Sequence, residues 1–358
     1  MRVGFDARWY NQSGVGSYIA GLLPALVRAD CELVVYADPR NPVPGLDRLS
    51  LQIVPVSSGK YSPLATLEFR RREELDKLDL FHCPFYAAPL LNSPIVITIH
   101  DLIPFLFPIY LWPKQKMVQA GYRTAAKRAA HLIADSQCTA SDLQKILGVT
   151  ADRVSTVHLA ADRSIFHPDG PENEEMLLRE RYHIRKPFML VSSARNWRTK
   201  NLASAVQALE IVRKEMGTTF QTVMYGATPR QKFKIDDSLN VNQLGYVDSA
   251  DLAALFRHAH AFVMPSLYEG FGLPLVEAMS CGCPVIASNR GSLQEIAGAG
   301  AECFGPFDIK GMAQALCALL RSPEELQQKR SNALMRAADF SWDKAAQETI
   351  SVYHHVNR

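Results

Sequence analysis

Two glutamates, Glu269 and Glu277, stand eight residues apart around the run Gly270-Phe271-Gly272-Leu273-Pro274. The apolar residues before this run predict a buried strand, and those after it predict a helix. Because glycines let the backbone approach a ligand and the first turn of a helix favours an anion, the pattern indicates a phosphate-binding turn. A carboxylate on either side could accept hydrogen bonds from sugar hydroxyls. Two solvated acids beside an ordinary turn are the alternative.

A second candidate cluster is the run Arg195-Asn196-Trp197-Arg198-Thr199-Lys200-Asn201, which follows the first predicted strand of the second half of the chain. Three cations within six positions at the carboxyl end of a strand could clamp a diphosphate. Lysine would act there as a point charge and arginine as a planar fork. An exposed basic loop that only aids solubility is the alternative.

Two further candidates lie in the first half. His100 ends a predicted strand, at the edge where open α/β sheets bind ligands, so its ring could hydrogen-bond a sugar or a developing charge; a purely structural histidine is the alternative. Gly14 and Gly16 predict a glycine-rich loop after the first strand, with a helix opening at about Ser17. Ile19 replaces the third glycine of the dinucleotide fingerprint, which leaves a loop near a phosphate or sugar, or a tight turn without a ligand.

Parallel strands must position these residues. Short runs rich in Val and Ile alternate with helical stretches along the whole chain, which predicts doubly wound sheets buried on both faces. The breaker-rich segment 166–173 predicts a linker, followed by a charged helix to about Tyr182. Ser341 is a candidate N-cap for a final amphipathic helix that could pack on either domain. The predicted strands are 3–6, 33–36, 52–56, 80–82, 95–100, 131–134, 155–158, 188–192, 222–225, 242–244, 261–264, 284–287 and 302–304.

Length and composition limit the class of protein. A chain of 358 residues with 47% hydrophobic and 21% charged residues predicts a globular protein of two domains. A net charge of +3 gives no reason to expect nucleic acid as a partner. The first residues form a predicted strand and no apolar leader, so we expect a cytoplasmic protein. The seven cysteines are scattered without metal-ligand spacing and are expected to be reduced.

The acceptor side is less distinct. Residues 105–110 form an apolar and aromatic run. Residues 111–116 follow it and lead into a predicted helix that carries three cations and a tyrosine: Tyr122, Arg123, Lys127 and Arg128. Such a surface could contact anionic lipid headgroups. A buried loop beside an ordinary amphipathic helix is the equally weighted alternative.

Taken in order, these elements resemble the retaining glycosyltransferases of family GT4. The matching elements are Gly14 and Gly16, His100-Asp101-Leu102-Ile103-Pro104, the run 195–201, the segment from Glu269 to Glu277, and Phe340-Ser341-Trp342. The resemblance covers essentially the whole chain and is strongest to the mannosyltransferase-B-like branch of bacterial surface-polysaccharide synthesis. It implies the α/β class and the GT-B fold, with two doubly wound Rossmann-like domains facing across a deep cleft. The implied domains are an acceptor domain over 1–168, a donor domain over 169–340 and a C-terminal helix over 341–358 that packs back on the first domain.

The resemblance also implies roles for individual residues. Lys200 matches the donor-phosphate lysine, Glu277 the acid that holds the ribose, and Glu269 the acid on the transferred sugar. His100 matches the histidine beside the reacting sugar, and Arg195 is favoured over Arg198 as the companion arginine. The implied catalytic residues are His100, Glu269, Arg195 and Lys200. The implied donor site consists of Gly14, Gly16, Arg195, Lys200, Gly245, Val247, Glu269, Gly270, Phe271, Gly272, Leu273 and Glu277.

The implied activity is transfer of a hexose from a nucleotide sugar to a glycan or lipid-linked oligosaccharide. GDP-mannose is the first choice of donor, and UDP- and dTDP-linked sugars stay open. No D-x-D motif occurs, so we expect neither a metal nor a cofactor besides the donor. Front-face attack is expected, with Glu269 as a covalent nucleophile the rival mechanism. An epimerase or phosphorylase on the same fold, or a non-catalytic sugar-nucleotide-binding protein, are the other functions considered. The expected location is the cytoplasm, at the cytoplasmic face of the inner membrane.

Overall fold

The computed structural model describes residues 1–10, 13–43, 45, 49, 51–59, 61, 63–193, 197–217, 220–226 and 239–358. The chain forms two compact units, Met1–Ala160 with Ser341–Arg358, and Ala161–Phe340. The division therefore falls at 160/161 and not at the expected 168/169. Residues 161–168 belong to the second unit because Phe166 packs against Phe256, with ring centroids 6.3 Å apart, and Arg257 donates to the carbonyl oxygen of His167 at 3.0 Å.

The first unit contains a parallel sheet in the order β3-β2-β1-β4-β5-β6-β7. The order reverses between β1 and β4, which makes the gap above these two strands the switch point of the sheet. β5 is buried along its whole length, as expected for a strand covered on both faces. The strands are β1 Arg2–Asp6, β2 Glu32–Ala37, β3 Gln52–Pro55, β4 Leu80–Cys83, β5 Ile95–Ile99, β6 His131–Ala134 and β7 Val154–Thr156.

The second unit contains a parallel sheet in the order β10-β9-β8-β11-β12-β13, with its switch point between β8 and β11. All thirteen predicted strands are confirmed, each within two residues at either end. The strands of the second unit are β8 Phe188–Ser192, β9 Gln221–Tyr225, β10 Val241–Gly245, β11 Ala261–Met264, β12 Val285–Ser288 and β13 Glu302–Phe304.

Helices connect the strands in both units. Within the described residues, none of these helices is both long enough and apolar enough to span a bilayer. In chain order the helices are α1 Ser13–Arg28, α2 Pro63–Asp76, α3 Ile103–Leu106, α4 Trp112–Arg128, α5 Gln137–Leu147, α6 Glu174–Tyr182, α7 Trp197–Lys200, α8 Leu202–Met216, α9 Ser249–His258, α10 Leu273–Ser280, α11 Leu293–Ala297, α12 Ile309–Arg321, α13 Pro323–Ala337 and α14 Trp342–Val356.

The final helix packs on the first unit. Ser341 caps α14 by accepting from the backbone N–H of Lys344 at 3.1 Å, as its position in the sequence predicted. The Trp342 ring makes an edge contact with Tyr18 of α1, at 6.3 Å between centroids. A Cβ at Gly21 of α1 would overlap the Trp342 ring, so the glycine makes room for the indole.

Two local predictions were wrong. α1 begins at Ser13 and not at about Ser17, so Gly14 and Gly16 lie in its first turn and not in a loop before it. A Cβ at Gly16 would overlap the carbonyl oxygen of Tyr10, and glycine there lets the helix start against the preceding turn. Likewise, the run 195–201 is not all loop, because Trp197–Lys200 form the short helix α7.

Candidate functional site

The switch point of the second sheet brings together two residues that lie 69 positions apart in the sequence. β8 leads to α7, which ends at Lys200, and the neighbouring β11 leads to Glu269. The Nζ atom of Lys200 lies 2.7 Å from Oε1 of Glu269, and the side chains are only 15% and 14% exposed. This ion pair brings two of the predicted site residues together after neighbouring strands of the sheet.

Backbone contacts hold both partners in place. Asn201, with φ of +50°, donates from its side-chain amide to the carbonyl oxygens of Pro265 at 3.1 Å and Pro306 at 2.7 Å. The carbonyl oxygen of Glu269 accepts from the backbone N–H of Ser292 at 3.1 Å. Since these bonds are made by the Asn201 side chain and by main-chain groups around the pair, they position Lys200 and Glu269 without using their charged groups.

The predicted glycine turn joins β11 to α10. Gly272 caps the helix with φ of +89°, and a Cβ there would lie 2.7 Å from a methyl carbon of Leu293, so both backbone and space require glycine. Phe271 is buried against Phe340, with centroids 5.9 Å apart. Pro274 has no N–H and the N–H of Leu275 donates to the carbonyl oxygen of Gly272 at 2.8 Å, so an anion would be favoured here by the N–H of Leu273 and by the positive end of the helix dipole.

Glu277 projects from the second turn of α10 and is half-buried. Burial raises the pKa of its carboxyl group from the usual 4.5 to about 7. Within the described residues Glu277 forms no ion pair. A carboxyl group in this setting is stabilised in its charged form by any ligand that donates hydrogen bonds to it.

The remaining predicted donor residues of this unit are less informative. β10 ends at Gly245, which has φ of +71° and accepts from the backbone N–H of Gly226 at 2.6 Å, and Val247 is buried two residues later. Gly270 is buried within the turn. Arg195 lies outside the described residues, and so does the side chain of Arg198, so the choice between them stays open.

His100 follows β5 in the first unit, and Asp135 follows the adjacent β6. Because Ile99 and Ala134 are partners in the ladder, the next residues stand side by side, with Nδ1 of His100 2.6 Å from Oδ2 of Asp135. The other ring nitrogen, Nε2, lies 3.0 Å from the carbonyl oxygen of Pro84. A carbonyl oxygen only accepts, and so does a carboxylate, so both ring nitrogens donate and the ring is an imidazolium. Burial opposes this charge, but Asp135 outweighs it and raises the pKa of His100.

A hydrogen-bonded network of uncharged polar side chains packs next to His100. The Thr98 hydroxyl contacts the Tyr18 hydroxyl at 2.9 Å and Nε2 of His82 at 2.8 Å. Burial lowers the pKa of His82 to about 3, so its ring is uncharged. Tyr18 makes an edge contact with His100, at 5.1 Å between centroids. Tyr353 of α14 closes the network by contacting Nδ1 of His82 at 2.5 Å.

The sequence analysis missed Asp135 as a site residue. The available signal was its position: an acid directly after a strand that is adjacent to the strand ending at His100. The donor residues from Gly245 to Glu277 together with Lys200 lie in the second unit. His100, Gly14 and Gly16 lie in the first unit, where Gly14 is exposed in the first turn of α1.

Two Rossmann-like parallel sheets with charged residues at their switch points define the class, the GT-B glycosyltransferases, and solved structures agree. Sucrose-phosphate synthase from Thermosynechococcus elongatus superposes with a TM-score of 0.75 at 18% identity, covering 99% of both chains. WaaG, a glycosyltransferase involved in lipopolysaccharide biosynthesis, superposes with a TM-score of 0.73 at 15% identity, covering 98% of this chain and 99% of its own. At these identities the likeness shows the fold.

Family models establish the family. The model for Glycosyltransferase Family 4 matches residues 12–164, and that for Glycosyl transferases group 1 matches residues 176–336. The chain belongs to the family 4 glycosyltransferases and is an enzyme of the hexosyltransferase type.

Several curated relatives bear the names of mannosyltransferases. O-antigen chain mannosyltransferase B of Escherichia coli is 27% identical over 76% of this chain and 74% of its own length. MMP alpha-(1->4)-mannosyltransferase of Mycolicibacterium hassiacum is 29% identical over 74% of this chain and 66% of its own length. Serotype-specific mannosyltransferase WbdA of Escherichia coli is also 29% identical over 74% of this chain, which spans 34% of that relative.

Proposed function

We propose that the protein is a retaining, metal-independent glycosyltransferase that transfers a hexose to a glycan or lipid-linked acceptor of a surface polysaccharide. The observation that carries the proposal is the 2.7 Å pair between Lys200 and Glu269 beside the glycine turn at Gly272. GDP-mannose is the first choice of donor, because relatives bear the names of mannosyltransferases and one acts on O-antigen chains. UDP- and dTDP-linked sugars are the competing donors, and no further cofactor is proposed.

Charge on the departing diphosphate is neutralised by the protein itself in this proposal. Lys200 supplies an ammonium group, and α10 supplies the backbone N–H of Leu273 and the positive end of its dipole. Arg195, with Arg198 as the competing residue, would add a guanidinium. When a phosphate engages Lys200, Glu269 can turn its acceptor oxygens to the hydroxyls of the sugar.

Glu277 is proposed to hold the ribose. Its buried carboxyl group has a raised pKa and no protein cation in the described residues to offset its charge. Two ribose hydroxyls that donate to the carboxylate would stabilise the charged form and lower this pKa. Nucleotide binding would then offset the free-energy cost of burying the Glu277 charge at neutral pH.

The chemical step is proposed to occur on one face of the sugar. The bond from the anomeric carbon to the phosphate oxygen breaks, a bond to the acceptor oxygen forms, and the acceptor proton moves to the departing phosphate. Glu269 is the less favoured nucleophile, because Oε1 is already engaged by the Lys200 ammonium group. The imidazolium of His100 is proposed to lie beside the reacting sugar, where its positive charge favours the departing anion.

A nucleotide panel tests the donor first. GDP, UDP, dTDP and ADP are compared by thermal shift, because a ligand that binds only the folded state raises the melting temperature. GDP is expected to give the largest shift, and Lys200→Ala should reduce that shift while the exposed Lys214→Ala should not. A shift from none of the four nucleotides would contradict the proposal.

Product analysis tests the reaction. With GDP-mannose and a mannosylated acceptor, proton NMR should show an α-linkage in the first product formed, in buffer containing EDTA. An inverted linkage, or activity lost with EDTA and restored by Mg²⁺, would overturn the mechanism. Incubation with the donor alone separates the alternative enzymes. An epimerase converts the free nucleotide sugar, whereas a transferase gives only slow hydrolysis. A phosphorylase would act only when inorganic phosphate is added.

Peripheral membrane association is proposed for a surface at the start of α4. Leu111 and Trp112 are 86% and 73% exposed, and Leu106 and Met117 are also exposed, which contradicts the alternative of a buried loop. The exposed Lys116 adds a positive charge. We call this surface, residues 106–117, the 106–117 face. Apolar side chains next to cations favour the interface of an anionic bilayer.

Vesicle sedimentation tests this association. Vesicles with 30% anionic lipid should sediment the protein at physiological salt, and Leu111→Ser with Trp112→Ser should reduce the bound fraction severalfold. Leu67→Ser, at an exposed residue of α2, is the matched control. Equal binding by all three proteins, or no sedimentation at all, would remove the 106–117 face as a membrane contact.

A further inference from the structure

A cavity of about 720 Å³ opens at the switch point of the first sheet. Its wall contains Arg8, which follows β1, and the segment from Tyr86 to Leu90, which follows β4. These are the two strands between which the strand order reverses, the place where open α/β sheets bind ligands. α4 provides the opposite wall.

Arg8 lines the cavity and keeps one buried nitrogen without a hydrogen bond within the described residues. Its residue is 2% exposed, and two of its nitrogens, Nε and Nη2, donate to the carboxylate of Asp6 at 2.8 and 2.7 Å. The third nitrogen, Nη1, is buried and has no hydrogen-bond partner in the part of the chain that the structure describes. Buried donors in folded proteins are almost always satisfied, so Nη1 is a candidate donor for a ligand bound beside Arg8.

Two further cations line the same cavity. Lys114 and Arg128 project into its lining from α4, and neither forms an ion pair within the described residues. Burial lowers the pKa of Arg128, and repulsion from the nearby Arg70 lowers it further. A dianion in the cavity would relieve this repulsion.

Much of the remaining lining is apolar or aromatic. Pro89, Leu90, Met117 and Val118 contribute hydrocarbon surface. The Tyr86 ring stacks on Tyr122 with centroids 4.2 Å apart, which fixes the aromatic part of the wall. A ligand that fits this lining therefore combines an anionic group with a hydrocarbon portion.

We propose that this cavity binds an organic phosphate or diphosphate ester with an apolar substituent, as the anchoring end of the acceptor. The phosphate lies against Arg8 with Lys114 and Arg128 beside it, and the apolar substituent lies along Leu90 and Met117. The identification of the ester as part of the acceptor rests on the proposed function. The binding of the ester to the cavity does not require the nucleotide-sugar donor. The ester could come from a membrane lipid or from a soluble molecule.

Isothermal titration with the full chain and no nucleotide tests the binding. Decyl phosphate, below its micelle concentration, should bind at least tenfold more tightly than inorganic phosphate or neutral decyl glucoside. Lys114→Gln and Arg128→Gln should each weaken decyl phosphate threefold to tenfold. Lys116→Gln and Lys127→Gln, at exposed cations of the same helix that do not line the cavity, should leave the affinity within twofold.

Filling the cavity provides a test that does not disturb the buried Arg8. Thr124 is exposed on α4 and lines the cavity, whereas Ala120, one turn earlier, is exposed and does not. Thr124→Phe should abolish decyl phosphate binding, and Ala120→Phe should not. Absence of decyl phosphate binding, or equal binding by the cavity variants and their controls, would overturn the assignment of the cavity. The proposed function would still stand if nucleotides raise the melting temperature and Lys200→Ala removes that increase.

Acceptor kinetics separate the two sources of the ester. If the ester is a membrane lipid, Thr124→Phe should raise KM for a polyprenyl-diphosphate-linked acceptor in vesicles at least tenfold and leave vesicle sedimentation unchanged. If it is soluble, KM should rise only for water-soluble phosphate acceptors. An unchanged KM for both acceptors would show that the cavity is not an acceptor site and would contradict the proposal.

Discussion

The two switch points have the same strand order but different charge arrangements. At the first sheet, Arg8 is held by Asp6 only two residues away, and both side chains are almost fully buried. At the second sheet, Lys200 is held by Glu269, 69 residues away, and both keep some exposure. A short-range buried pair is part of the core, whereas a long-range, partly exposed pair can exchange its partner for a ligand. The comparison predicts that breaking the first pair reduces stability and breaking the second reduces activity.

The largest effect is expected at Lys200. Lys200→Ala should lower kcat/KM for transfer about 100-fold to 1,000-fold, because it removes a cation from the developing diphosphate charge. Its free energy of unfolding should change by only about 1 kcal/mol, since partly exposed ion pairs contribute little. Steady-state kinetics and urea denaturation measure the two effects. A kcat/KM within tenfold of the wild-type value would contradict the proposed difference between the two ion pairs.

The reverse pattern is expected at Asp6. Asp6→Ala leaves the Arg8 charge buried and uncompensated, which should cost about 3–5 kcal/mol in the free energy of unfolding. Asp38→Ala is the matched control, because Asp38 holds Arg40 at the same spacing but the Arg40 side chain is 65% exposed. The control should lose about 1 kcal/mol. Equal losses in urea denaturation would show that burial does not distinguish the two pairs.

Glu277 should affect stability and binding in opposite directions. Its pKa in the fold, about 7, lies above the ordinary 4.5, so the folded state holds the proton more tightly and loses stability as pH rises through this range. Glu277→Gln should therefore be more stable than the wild type by about 1–3 kcal/mol at pH 8 and equal at pH 4. The exposed Glu180→Gln should show no such pH dependence in thermal unfolding.

Nucleotide titration of the same variant completes that test. Glu277→Gln should weaken GDP binding about tenfold, which corresponds to the loss of charge-assisted hydrogen bonds to the ribose. Glu269→Ala should keep GDP affinity within threefold and abolish transfer. An equal loss of GDP affinity in both variants would contradict the division of roles between the two glutamates.

The smallest effect is expected at Asp135. Because Asp135 raises the pKa of His100, Asp135→Asn should move the alkaline limb of kcat/KM to lower pH. The stabilisation of the fold by this pair is fully present below the ordinary pKa of 6.5 and is lost as pH rises through the raised value. A pH–rate profile that is unmoved would assign Asp135 a purely structural role.

Much of the fold could be predicted because its signals are local. Parallel strands buried on both faces appear as short apolar runs, and each of the thirteen was found. The start of α1 was not predicted, because the need for Gly16 comes from contact with the Tyr10 carbonyl and not from a loop conformation. The domain boundary was displaced for a similar reason, since Phe166 packs forward onto Phe256.

The candidate site divides in the same way. Glu269, Glu277 and the glycines between them form one continuous segment whose spacing is visible in the sequence. Asp135 and the cavity beside Arg8 depend on which strands are neighbours, and strand order is set by packing among distant segments. The packing of α14 on α1, and not on the second unit, also depends on such contacts.

By itself the sequence determined the strand-turn-helix segment around Glu269 and Glu277 and the alternation of strands and helices that makes two parallel sheets. Only the tertiary structure decided that Lys200 pairs with Glu269 and that Asp135 raises the pKa of His100. It alone also decided that Arg8 lines a cavity and keeps one nitrogen without a hydrogen bond in the described residues. The physical reason is that backbone conformation follows from nearby residues, whereas charge, protonation and cavities arise where distant segments meet and exclude water.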